Sequence, residues 1–185
     1  MAILNFSLVT EVQPLLRRDF PVSNTGLLNP NNETGSASSP KFLLDGEFVG
    51  LNSSYQAARE GAATATSGGS GAGNPSASGS VSEMPWWVFW MERGRTDMRA
   101  IDKLTVLFGG AYEADFGEDV LNTSSDTFAV GDKLFVNWLS NGSDINRRRG
   151  LTKVRNSTDG LCHGYVTRVF ASGSTFVMRA FINIG

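Results

Sequence analysis

The stretch that most constrains this chain runs from Met84 to Phe116, because it contains three of the four tryptophans and a glycine-marked turn. If Trp86–Met91 is a strand, alternate side chains lie on opposite faces of it. Trp86, Val88 and Trp90 then share one face, and Trp87, Phe89 and Met91 share the other. Neither face is polar, so we expect both to be covered, either by the protein's own core or by another subunit.

Glycine-marked turns between short apolar runs recur along the chain and indicate a β protein. Lys103–Phe108 and Ala111–Phe116 are predicted to pair as a hairpin across Gly109 and Gly110. Lys41–Leu51 is predicted to form another hairpin, because Asp45-Gly46 suits a tight turn. Short strands without a long amphipathic helix predict a mainly β fold, a small β-barrel or sandwich.

The second half of the chain continues this pattern of strands and turns. Thr127–Trp138 is predicted to be strand, Gly-Asp turn and strand, and residues 139–160 to be mostly loop. The end of the chain predicts two strands, His163–Phe170 and Thr175–Ile184, joined by a turn at 171–174. In the last of these strands the apolar side chains share one face.

Two segments contrast with the strands. Residues 1–40 are punctuated by prolines, so we expect an extended N-terminal arm rather than a regular element. Residues 61–82 are rich in Gly, Ala and Ser and predict a long loop, because nothing large is present to bury. The organisation predicted is therefore an arm at 1–40 and a β domain at 41–185 that the low-complexity loop interrupts.

Charge and composition limit the classes of function. The formal net charge of −2 argues against a nucleic-acid binder, whose phosphate contacts need a basic surface. A single cysteine excludes an intrachain disulfide framework and a Cys-rich zinc site. No run approaches the length of a membrane span and no signal peptide is recognised, so we expect synthesis in a cytoplasm and no membrane partner.

No catalytic, cofactor or metal site stands out. His163 is the only histidine, and its neighbour Cys162 would point to the other face of a strand, so a catalytic dyad is not expected. Glu113 and Asp115 share a strand face, and with Glu118 and Asp119 they form an acidic cluster of open role. Paired carboxylates could serve glycoside cleavage or calcium binding, although a solvated acidic edge is the simpler reading. We expect a protein that is not an enzyme.

Two groups of residues are candidates for contact with a partner. The arginine run in the 139–160 loop could grip an acidic protein surface, and the overall charge favours protein over nucleic acid. The tryptophans of the aromatic strand could anchor an interface. The candidate residues are Trp86, Trp87, Trp90, Arg147, Arg148 and Arg149.

The sequence resembles the capsid decoration (cement) and minor structural proteins of tailed bacteriophages. The residues that carry the resemblance are Phe42–Phe48, Gly94–Asp97, Lys103–Asp115, Phe128–Leu134 and Gly164–Val169. It covers about residues 41 to 185, as a style of sequence more than a strict motif. The N-terminal arm and the segment at 61–82 depart from a minimal decoration domain.

The resemblance implies a β-rich virion protein on the outer capsid surface, often a homotrimer, that binds the major capsid protein and stabilises the assembled head. It implies no cofactor and no catalytic residue. The alternative is a carbohydrate- or receptor-binding module of a phage tail or spike. Such a site could use Trp86, Trp87 and Trp90 beside Glu113 and Asp115.

Overall fold

A computed structural model of the chain describes residues 5–22, 43–51, 56–58, 87–89, 103–123, 126–139, 149–153 and 162–184. Within these ranges the protein is mainly β, as predicted. The strands are β1 (Phe6–Glu11), β2 (Leu16–Pro21), β3 (Phe48–Leu51), β4 (Ala57–Ala58), β5 (Trp87–Phe89), β6 (Lys103–Gly109), β7 (Ala111–Phe116), β8 (Lys133–Trp138), β9 (Arg149–Thr152), β10 (Gly164–Val169) and β11 (Met178–Asn183).

These strands form two antiparallel sheets. The six-stranded sheet has the order β1-β7-β11-β10-β8-β9 and curls into a half-barrel. The five-stranded sheet has the order β2-β6-β5-β3-β4. One apolar cluster joins them, because it includes Phe6 and Met178 from the first sheet and Phe48 and Leu104 from the second.

A bent antiparallel ribbon runs through both sheets. Strand β1 pairs with β7 in the six-stranded sheet, from Phe6 opposite Phe116 to Glu11 opposite Tyr112. The same two chain segments continue as β2 and β6, which pair in the five-stranded sheet. Each segment therefore passes from one sheet to the other at a shared corner, which is how strands turn between packed sheets.

Gly110 forms the inner side of this corner. Its φ of +101° is open to glycine and strained for other residues. A Cβ atom there would overlap the carbonyl oxygen of Pro14, on the facing segment of the ribbon. The corner is also held by the N–H groups of Val12 and Gln13, which both donate to the carbonyl oxygen of Ala111 at 2.9 Å. Only a glycine lets the two segments approach this closely.

The predicted hairpin across Gly109 and Gly110 is wrong in its pairing. The two strands exist near the expected bounds, but β6 and β7 belong to different sheets. Gly110 bends the chain from one sheet into the other instead of folding it back on itself. Each strand pairs with a segment from the N-terminal region, β6 with β2 and β7 with β1.

The predicted N-terminal arm is wrong for residues 5–22, which are part of the β domain. Phe6, Phe20 and Val22 are buried in the common core. The ring of Phe6 packs edge-on against Tyr112 and Phe116, with centroid distances of 6.0 and 5.5 Å. Residues 23–40 of the predicted arm, and the whole predicted loop at 61–82, lie outside the described residues.

Most predicted turns are confirmed. Asp45-Gly46 forms a turn in which Gly46 has φ +88°, but the following strand β3 pairs with β4 and β5 rather than with residues before the turn. The Gly131 turn precedes β8, whereas residues 127–130, predicted as a strand, form no strand. The final pair β10 and β11 is confirmed. Within the predicted loop at 139–160, residues 149–152 instead form β9.

The aromatic strand is confirmed over Trp87–Phe89, where β5 lies in the middle of the five-stranded sheet. Its side chains lie outside the described part of the structure. The neighbouring residues on both sides are informative, since consecutive strand residues face opposite ways. Phe48 and Val49 on β3, and Val106 and Leu107 on β6, are all at most 1% exposed. Beside β5, the chain itself therefore covers both faces of the sheet.

The corner makes a prediction about stability. Gly110→Ala should lower the free energy of unfolding by about 3 kcal/mol or more, because it adds a backbone overlap to the cost of about 1–2 kcal/mol for a left-handed residue. Gly131→Ala is the matched control, because Gly131 has φ +90° and nothing lies within 4 Å of an added Cβ. Urea denaturation of both variants measures the difference. Equal losses would show that the Pro14 contact is unimportant.

Candidate functional site

Two surfaces and a set of buried polar side chains are the candidate sites among the described residues. The first surface is the outer face of the six-stranded sheet. On β7 the residues Tyr112, Ala114 and Phe116 face the core, so Glu113 and Asp115 face outward, as their predicted common face requires. They are two strand positions apart and each is held by a different partner.

An ion pair fixes Asp115. The guanidinium of Arg179 on β11 donates two hydrogen bonds to its carboxylate, from Nε at 2.7 Å and from Nη2 at 3.1 Å. These bonds raise the pKa of Arg179 above its ordinary value, and the negative charges of Asp115 and Glu113 add to the effect. A two-point bond of this kind sets the orientation of both groups.

Glu113 is held by a residue of β10, the strand that follows β11 in the sheet. Its carboxylate accepts a hydrogen bond of 2.6 Å from the hydroxyl of Thr167 on β10. Beside it, the guanidinium carbons of Arg168 and Arg179 lie 5.0 and 5.9 Å from the centroid of the Phe170 ring. This face of the sheet is thus a network of charged groups and aromatic rings in fixed positions.

The rest of the acidic cluster is separate from this network. Asp119 accepts a hydrogen bond of 3.2 Å from the side-chain amide of Asn5, and Glu118 is exposed. Among the described residues no group of three or more His, Cys, Asp or Glu side chains could hold a metal ion. The four carboxylates predicted as one cluster therefore belong to two places.

The second surface is the N-terminal edge, which we define as Phe6–Pro21. Strand β1 is the end strand of one sheet and β2 the end strand of the other. Three large apolar side chains are exposed along it: Val9 at 40%, Val12 at 56% and Leu16 at 54%. A salt bridge between Arg17 and Glu11 crosses the corner. This segment brings apolar side chains and strand edges together at the surface.

Several polar side chains of the described residues are buried. Asp45, Glu47, Tyr112 and His163 are all at most 8% exposed. Glu47 accepts a hydrogen bond from the N–H of Leu44 at 3.2 Å, which closes the turn. The His163 ring lies 6.4 Å from the ring of Phe48. Its neighbour Cys162 is exposed, so the two side chains occupy different environments, as the strand pattern predicted.

Tyr112 is the unusual one of these four buried side chains. Its hydroxyl is buried and has no hydrogen-bond partner among the described residues. Burial raises the pKa of Tyr112 well above its ordinary value of 10.0, and the negative charge of Asp45 raises it further. An unsatisfied buried hydroxyl costs about 1–3 kcal/mol.

Most of the predicted partner-binding residues lie outside the described part of the chain. Trp86, Trp90, Arg147 and Arg148 lie outside the described residues, and so do the side chains of Trp87 and Arg149. Their strands are placed: Trp87 is in the five-stranded sheet and Arg149 begins β9 at the edge of the six-stranded sheet. Glu113 and Asp115 are in the six-stranded sheet, whereas Trp87 is in the five-stranded sheet. The residues predicted to form a sugar site therefore do not lie on the face of a single sheet.

Sequence reasoning missed the outward residues of β10 and β11. Arg179 and Phe181 alternate with the predicted apolar positions of the last strand, so the alternation could have identified them as a surface row. Their link to Glu113 and Asp115 depends on the pairing of β7 with β11, whose partners are 64 positions apart at Asp115 and Arg179. No local signal gives that pairing.

The chain matches no family model, no curated protein and no solved structure. Within the described ranges, no helix has the length and apolar character needed to cross a membrane. The two surfaces are therefore interpreted from their own chemistry.

The buried hydroxyl makes a prediction with a defined pH dependence. Tyr112→Phe should raise the free energy of unfolding by about 1 kcal/mol at neutral pH, because it removes an unsatisfied group. Above pH 10 the unfolded wild-type chain loses the tyrosine proton and the folded chain keeps it, so wild-type stability falls with pH. The gain from Tyr112→Phe should therefore grow above pH 10.

Tyr165→Phe is the control, since Tyr165 is 45% exposed. Denaturant titrations at pH 7 and pH 11 measure both effects. A loss of more than about 1 kcal/mol in Tyr112→Phe would mean that the hydroxyl makes a hydrogen bond worth keeping.

Proposed function

We propose that this protein is a non-enzymatic structural virion protein of a tailed bacteriophage, which binds the outer capsid surface and stabilises the assembled head. The observation that best supports the proposal is the N-terminal edge. A continuous segment of chain there provides the end strands of both sheets and three exposed apolar side chains, Val9, Val12 and Leu16. Surfaces of this kind are suited to contact with another protein.

Strand β1 is the half of this edge that is less protected against pairing with another strand. Its only charged residue is Glu11, whereas β2 carries Arg17, Arg18 and Asp19 and ends at Pro21. Charges and proline are the usual protection of an edge strand against further pairing. The chemistry therefore favours attachment through β1 and the corner, with β2 limiting how far a partner strand can extend.

Attachment through this edge would stabilise the capsid by mass action. A component that binds only the assembled shell shifts the equilibrium toward the shell. Each apolar side chain removed from water at the contact contributes about 25 cal/mol per Å² of buried apolar area. The partner in this proposal is the major capsid protein, and the protein itself is a homo-oligomer, most simply a trimer, on the virion surface.

The edge can be tested by placing charges on it. Leu16→Glu and Val12→Glu should weaken attachment to capsids at least tenfold, because a buried charge would face the partner, and they should leave the fold intact because both positions are more than half exposed. Val130→Glu is the matched control, since Val130 is 67% exposed in the turn before β8. Co-sedimentation with capsids lacking the protein measures attachment.

The consequence for the head is measured on the same particles. Capsids carrying the wild-type protein or Val130→Glu should retain DNA to a higher temperature than capsids without it, and Leu16→Glu should give no protection. Equal DNA-release temperatures for stripped and complete particles, with only host attachment reduced, would reject the cement function in favour of receptor binding.

The arginine run provides an independent test of polar attachment. Replacing Arg147, Arg148 and Arg149 with Gln should weaken capsid binding at low salt and have little effect at high salt, because ions screen exposed charge pairs. Circular dichroism and thermal unfolding check that the variant keeps its fold. Equal losses at low and high salt would exclude an electrostatic role for the run.

A further inference from the structure

The outer face of the six-stranded sheet is a surface that the proposed function does not use. Strand pairing places four residues in a row across β7, β11, β10 and β8. Glu113 is opposite Phe181, Phe181 is opposite Tyr165, and Tyr165 is opposite Lys133. Tyr165 is 45% exposed and Phe181 is half-buried, so the two neighbouring rings offer an apolar surface to solvent.

A second row on the same face lies two residues along the strands. Asp115 is opposite Arg179, and their two hydrogen bonds fix both groups. Thr167 holds Glu113 from β10. We call the six residues Glu113, Asp115, Lys133, Tyr165, Arg179 and Phe181 the outer-face platform. Aromatic rings lie at its centre, and charged hydrogen-bonding groups surround them.

We propose that the outer-face platform binds a neutral saccharide. The apolar C–H face of a pyranose ring would pack on Tyr165 and Phe181. Its hydroxyl groups would donate to the carboxylate of Glu113 and accept from Lys133 and Arg179. This function goes beyond capsid attachment and uses a different part of the molecule.

The charge of the platform indicates the class of ligand. Within the six residues two carboxylates and two cationic groups balance, and Arg168, opposite Arg179, adds one positive charge at the border of the platform. This face therefore has no large excess of either sign. Glu113, Asp115 and Arg179 are already oriented by hydrogen bonds within the protein, which lowers the entropic cost of binding. Four adjacent strands at a spacing of about 4.8 Å give a row roughly 14 Å long, which suits a short oligosaccharide better than a single small molecule.

The platform differs from the tryptophan-based sugar site predicted from the sequence. That site combined Trp87, in the five-stranded sheet, with Glu113 and Asp115, in the six-stranded sheet. The two carboxylates remain in the present proposal, but the rings come from β10 and β11. Because Tyr165 and Phe181 are cross-strand partners, the sheet itself sets their distance from each other.

The test uses the full chain on a printed array of neutral and acidic oligosaccharides. Wild-type protein should bind neutral oligosaccharides. Tyr165→Ala should reduce that binding about tenfold or more, because it removes the exposed ring. Tyr165→Phe should keep binding within a factor of about three, since the ring remains. Val130→Ala, a change at an exposed apolar residue in the turn before β8, should have no effect.

Absence of binding to every neutral oligosaccharide on the array would overturn the proposal, as would undiminished binding by Tyr165→Ala. Binding confined to acidic saccharides and lost at high salt would also overturn it, because charge alone would explain the result. A loss of capsid attachment in Tyr165→Ala would assign this face to a protein partner instead. Leu16→Glu should retain saccharide binding, so this proposal and the capsid function can fail separately.

Discussion

The bent ribbon at the Gly110 corner is the constraint on which the rest of the structure depends. It passes through both sheets, and it pairs the N-terminal segment with residues 103–116, which are distant in the sequence. Pro14 and Gly110 approach closely at the corner, where the chain passes from one sheet to the other. In the same arrangement β1 is the end strand of the six-stranded sheet and β2 is the end strand of the five-stranded sheet. The exposed N-terminal edge is therefore a direct result of how the fold is closed.

The sequence predicts the strands and turns well where their causes are local. Asp45-Gly46 and Gly131 adopt turns because glycine tolerates positive φ wherever it occurs. Pairing is different, since a glycine can either reverse a strand or bend it into another sheet, and the choice depends on a distant partner. At Gly110 that partner is Pro14. Of the prolines that suggested an irregular arm, Pro14 lies at the corner and Pro21 ends an edge strand, where proline is tolerated. Pro30 and Pro40 lie outside the described residues.

The candidate sites follow the same division. Strand alternation correctly placed Glu113 and Asp115 on one face, because that depends only on the period of a strand. Arg179 and Tyr165 join them through the pairing of β7, β11 and β10, which no local pattern gives. The sequence interpretation favoured the tryptophan strand as an interface because of its aromatic content. However, the residues of β3 and β6 beside β5 are buried, so the chain itself covers the sheet there. On the outer face, Tyr165, Arg179 and Phe181, which no sequence pattern had singled out as a site, join two carboxylates that were candidates from the start.

The positions of the two surfaces have a consequence for a protein attached to a shell. The N-terminal edge lies along the ends of the sheets, whereas the outer-face platform is centred on β11 and β10, one and two strands beyond β7 in the six-stranded sheet. Pairing a strand to β1 would extend that sheet in its own plane, and side chains stand perpendicular to that plane. A partner bound at the edge would therefore leave Tyr165 and Phe181 facing away from the pairing direction. One molecule could then hold the capsid through its edge and present the platform to a saccharide at the same time.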